Sequence, residues 1–207
     1  MNDLVALVAD GTMGAGLRGL LARSDALRIR PPTHEILVHP RRDPGCVRNA
    51  HDVLRPFCRR YAHALVMFDR KGCGQEQRSR EELETRVEQN LAACGWDDRA
   101  AAIVLDPELE AWVWADSPHV EAALGWLNRP VRLKRWMTDR GLLRAHQHKP
   151  AQPKQALRTV LREVHMVGSS AIYLELARTV SLERCTDPAF NRLLSIMRNW
   201  FRIEGTP

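Results

Sequence analysis

No stretch of this chain approaches the 18 or so apolar residues that a membrane span needs, and the first apolar run, Leu4 to Val8, is closed by Asp10 before it could serve as a signal peptide. A soluble, cytoplasmic protein without membrane partners is the expectation. There is no C-x-x-C pair and no paired histidine spacing. The five cysteines (Cys46, Cys58, Cys73, Cys94, Cys185) are an odd number, which points away from a disulfide framework or a zinc site and toward reduced thiols. Cys73, between Gly72 and Gly74, is the one a loop would expose. Internal repeats, low-complexity tracts and phosphate-loop motifs are also missing, so solenoids, disordered tails and P-loop NTPases drop out.

What is present is a charge asymmetry. The net +6 of the 207 residues divides unevenly: 16 Lys and Arg against 19 Asp and Glu in residues 1–128, and 15 against 6 in residues 129–207. A basic C-terminal part beside an acidic N-terminal one suits contact with nucleic acid or with an acidic partner subunit. The cations are nearly all arginine, which a compositional bias alone also supplies.

Apolar runs separated by helical periodicity set the architecture. Leu4 to Ala9, Glu35 to His39, His63 to Phe68 and Ala100 to Leu105 read as strands, the first with apolar residues in succession as a strand covered on both faces requires. Helices are expected between them, notably from Ser79 to Cys94, where Ser79 and Glu82 form a capping box. Asp106-Pro107 predicts an N-cap and first-turn proline for a helix through Trp112. After Asn128 only helices are expected: Val131 to Leu143, Pro153 to Val164, Ala171 to Val180 and Asp187 to Phe201. The fold class is therefore α/β, a Rossmann-like or Toprim-like, mostly parallel four-stranded sheet flanked by helices (residues 1–128) with a basic helical part packed on it (residues 129–207).

In such sheets ligands sit at the C-terminal strand ends, where Asp10, Asp69 and Asp106 fall. Joined by Glu108 and Glu110, they could supply the hard oxygen ligands of a two-metal phosphodiester site. Asp106 as a cap and Glu108 as a first-turn acid also have purely structural explanations. Lys71, in the Gly72-Cys73-Gly74 loop, and Lys149 and Lys154 are candidates for binding an anion or nucleic-acid phosphates. Trp112, Trp114, Trp126, Trp136 and Trp200 stand beside Leu, Val and Met at helical positions, which points to packing rather than base stacking.

Asp10-Gly11-Thr12, Asp69, Pro107 to Trp112, Lys149-Pro150, Pro153-Lys154, Ser169 to Tyr173 and Arg184 to Phe190 together resemble small Toprim-like proteins of bacterial defence islands. The Pro-Glu-Leu-Glu-Ala-Trp and Cys-Thr-Asp-Pro-Ala-Phe stretches look like a small component of the methylation-associated anti-phage defence system. The resemblance implies an antiviral role alongside other subunits of that system. It also implies a metal site with Mg2+ held by Asp10, Asp69, Glu108 and Glu110; if active, the protein would be a nuclease with Asp10, Asp69 and Glu110 catalytic. Toprim sites carry a glutamate after the first strand and an Asp-x-Asp after the third, whereas this chain has Asp10 and Asp69-Arg70-Lys71. A lysine in place of a ligand carboxylate removes a donor and adds a repelling charge. The expectation is thus an accessory subunit with a degenerate metal site.

Overall fold

The computed structural model describes residues 1–182 and 185–203; Arg184, part of one stretch singled out above, lies outside them. The chain runs β1 (Asn2–Val8), α1 (Gly11–Leu21), α2 (Ser24–Leu27), β2 (His34–Val38), α3 (Arg42–Leu54), β3 (Tyr61–Asp69), α4 (Arg80–Leu91) and β4 (Ala100–Leu105). It continues through α5 (Glu110–Val113), α6 (Pro118–Ala123), α7 (Leu133–Asp139), α8 (Pro153–Glu163), α9 (Ser170–Thr179) and α10 (Pro188–Trp200). A four-stranded, wholly parallel sheet in the order β2-β1-β3-β4 is flanked by helices, as the strand pattern predicts. No described helix is long and apolar enough to cross a membrane.

The order follows from how a chain can cross a parallel sheet. Right-handed crossovers place α1 on one face as β1 leads to β2, and place α3 and α4 on the other as the chain turns back past β1 to β3 and β4. The central strands are therefore sealed on both sides. Leu4 to Val8 and Ala64 to Phe68 are all at most 1 % exposed, and each Val, Leu or Phe so buried contributes about 1.5–3 kcal/mol of hydrophobic transfer. Reversal of direction between β1 and β3 opens a crevice at their C-terminal ends.

The C-terminal helices pack on this unit rather than apart from it. α9 lies along α1 so closely that a Cβ on Gly19 would stand 2.8 Å from the Leu174 carbonyl oxygen. α10 covers β4 and α2, with Phe190, Leu193, Met197 and Phe201 buried along one face.

Three local expectations need correction. The helix expected from Asp106 begins at Glu110 and has no side-chain cap, because Arg70 at the end of β3 draws the Asp106 carboxylate away at 3.3 Å. The helix expected over Val131 to Leu143 is confined to Leu133–Asp139 and is followed by Gly141 at φ 70°. Cys73 is fully buried, and desolvation pushes its thiol pKa up, the opposite of what a reactive cysteine needs. Trp96, Trp114 and Trp126 are buried, while Trp112, Trp136 and Trp200 pack partly buried against the core.

Candidate functional site: a carboxylate cleft at the ends of β1 and β3

The crevice at the β1 and β3 ends is a cleft of about 290 Å³ lined by Asp10, Asp69, Glu110 and Tyr173 among acidic and hydroxyl groups, and by Arg42, Lys154 and Arg158 among cations. Each acidic side chain is placed by a separate local device. Asp10 ends β1 in an extended conformation and caps α1, accepting the Met13 N–H at 2.9 Å. Asp69 ends β3 and accepts the Leu109 N–H at 2.8 Å, so it satisfies the backbone before α5 that Asp106 was expected to serve. Asp43, in the first turn of α3, accepts the Asp69 N–H at 2.8 Å.

Glu110 is 5 % exposed at the start of α5. Its Oε1 accepts from the Tyr173 hydroxyl at 2.9 Å and lies 3.4 Å from Lys154 Nζ, and its Oε2 is buried without a hydrogen-bond partner. Glu108 is 3 % exposed; it accepts the Lys154 backbone N–H at 3.0 Å and faces Lys71 Nζ at 3.7 Å. Among the positions singled out from the sequence, Asp10, Asp69, Glu110 and Lys154 therefore line one cleft. Glu108 and Lys71 adjoin it through Lys154. Lys149 stands apart, 3.1 Å from the Asp187 carboxylate.

So much negative charge in a desolvated space must be compensated. Burial, together with the neighbouring Asp43 and Glu110 charges, pushes the Asp69 pKa up to about 8, so at neutral pH this carboxyl holds a proton. Burial and the Asp10 charge raise Asp43 as well, and burial with Glu110 raises Tyr173. Burial opposes the Lys154 ammonium, but Glu110, Asp69 and Glu108 outweigh it and raise its pKa. A proton on Asp69, the Lys154 ammonium and the Arg42 and Arg158 guanidiniums thus offset the carboxylates of the cleft.

Asp43 is absent from the sequence-based candidates, and Tyr173 enters them only as the end of the Ser169 to Tyr173 stretch, with no role at the cleft. Asp43-Pro44 follows the β2 end at a fourth strand terminus, a signal that the strand-end argument could have used. Tyr173 reaches Glu110 only through the α1–α9 packing, and nothing local announces it.

Two-metal chemistry requires several carboxylates converging on a cation. Among the described residues, no three His, Cys, Asp or Glu side chains gather to hold a metal ion. The Lys154 ammonium instead sits against Glu110. As arranged, these residues do not fit a divalent-metal pair. What they offer is a polar recess able to donate hydrogen bonds from Lys154, Arg42 and Arg158. Comparison with family models, with curated proteins and with solved structures finds no match to this chain.

Proposed function

We propose that the chain is an accessory subunit of a bacterial anti-phage defence complex, in which a Toprim-like carboxylate cleft binds a partner instead of cutting a phosphodiester. The observation that carries this reading is Lys154. Its ammonium lies 3.4 Å from Glu110, where a working site would need a cation of its own. The Asp69-Arg70-Lys71 triplet supports it, since Lys71 turns to Glu108 at 3.7 Å and supplies no ligand oxygen. Membership of a defence complex is supported by the resemblance of the Pro107 to Trp112 and Cys185 to Phe190 stretches. The recognised partner is another subunit of that complex, met by the cleft and by the basic C-terminal surface.

Isothermal calorimetry with Mg2+ and Mn2+ tests the reading, run on the wild type beside Asp10→Asn and Asp69→Asn. No binding heat at millimolar metal is expected. Binding that both substitutions abolish would overturn it in favour of a Mg2+-dependent nuclease. Salt decides the partner: affinity for DNA or RNA that falls steeply between 50 and 200 mM salt, as counterion release dictates, would make nucleic acid the ligand.

A further inference from the structure

The two edges of the sheet are treated differently. On β4 the outer backbone groups are closed by side chains: Glu88 accepts the Ala102 N–H at 2.9 Å, Glu84 accepts the Val104 N–H at 3.1 Å, and Arg192 donates to the Ala102 carbonyl at 3.3 Å. A carboxylate, a second carboxylate and a guanidinium thus stand in for a fifth strand, and nothing can pair there.

Among the described residues the β2 edge has no such cover. Leu4 N–H donates to the Thr33 carbonyl at 3.0 Å and His39 N–H to the Val8 carbonyl at 2.9 Å, so the odd-numbered residues of this strand face β1. The N–H and C=O groups of His34, Ile36 and Val38 consequently point away from the sheet, and none of the described residues bonds them. Natural edge strands are usually blunted by lysine, proline or a bulge. Here His34–Val38 holds neither residue, and its register with β1 runs unbroken. Its one acidic residue, Glu35, is turned back to accept from the Tyr61 hydroxyl. Val38 is left 49 % exposed at the rim.

We propose that β2 pairs antiparallel with β2 of a second copy of this chain, joining the two sheets into one. A twofold axis through Ile36 sets Ile36 against Ile36 of the second copy and His34 against Val38. All of these positions carry outward N–H and C=O groups, so the pairing exchanges about six hydrogen bonds. The intervening positions set Glu35 against Leu37. No like charges meet in this register, and the outward positions His34, Ile36 and Val38 include no Asp, Glu, Lys or Arg with which a charged partner could pair. A twofold also consumes both open edges at once and closes the assembly.

Sedimentation velocity of the full chain over 1–100 µM tests the proposal, with Val38→Lys and His34→Pro as variants. Both side chains are exposed, and the proline deletes an N–H that serves no intramolecular bond, so the fold survives each change, as circular dichroism would verify. The wild type is expected to sediment at twice the 23.6 kDa of the chain, and both variants at the monomer mass, with dissociation constants at least tenfold weaker. A wild type that stays monomeric throughout would sink the proposal, and so would a dimer that neither substitution weakens.

Discussion

Replacing Asp69 by asparagine should remove the pH dependence that this carboxyl imposes on folding. Its native pKa of about 8 lies above the ordinary 3.8 of the unfolded chain. The native state therefore keeps a proton that the unfolded state releases, and the stabilisation this represents is complete below about pH 4 and lost progressively as pH rises to about 8. At about 1.36 kcal/mol per pH unit, the loss amounts to about 4 kcal/mol between pH 4 and 7 and about 6 kcal/mol by pH 9. Asparagine is neutral throughout, matches the shape, and still accepts from the Leu109 N–H, whose bond to Asp69 measures 2.8 Å. The stability gap between the two proteins should therefore shift with pH in favour of the Asp69→Asn variant, as other titrations cancel. With an m-value of about 2 kcal/mol/M for urea, the difference in unfolding midpoints grows by about 2 M from pH 4 to 7. Midpoints of the two proteins that run parallel across this range would refute the burial and charge crowding assigned to Asp69.

Two further substitutions examine the packing that builds the cleft. Gly19→Ala places a methyl 2.7 Å from the Ala177 Cβ and 2.8 Å from the Leu174 carbonyl; although alanine favours helix, overpacking is expected to cost about 1–3 kcal/mol, and an unchanged or raised melting temperature would contradict it. Asp187→Ala removes the cap bonds from the Ala189 and Phe190 N–H groups (3.1 and 3.3 Å), the Trp112 indole bond (3.0 Å) and the Lys149 pair (3.1 Å). A loss of about 2–4 kcal/mol is expected in urea titration followed by tryptophan fluorescence, from a missing cap and a stranded indole N–H; a loss below about 1 kcal/mol would count against it.

The sheet was legible because parallel strands covered on both faces must be apolar at successive residues, and Leu4 to Val8 and Ala100 to Leu105 are so. Strand-end logic likewise placed Asp10 and Asp69. It failed at Asp106, where the local pattern of a cap and a following proline was overruled by an arginine 36 residues away. Local rules record what a residue can do with its neighbours in sequence, and a guanidinium arriving from another strand offers a stronger partner than a backbone N–H. The counter-charge on Glu110 was invisible for the same reason. From the sequence Lys154 reads as a helical cation for an anion or phosphate, and only the docking of α8 beside α5 sets it against Glu110.

That docking links the two parts of the chain chemically as well as sterically. The N-terminal part supplies Asp10, Asp43, Asp69 and Glu110, and the C-terminal part supplies Lys154, Arg158 and the Tyr173 hydroxyl. Desolvating a carboxylate without a partner costs several kcal/mol, so the acidic cleft is stable only with α8 and α9 in place, while Lys154 would lack its anions without Glu108, Glu110 and the β3 end. The charge asymmetry along the sequence is thus met in part inside the molecule at this point, by Lys154 and Arg158.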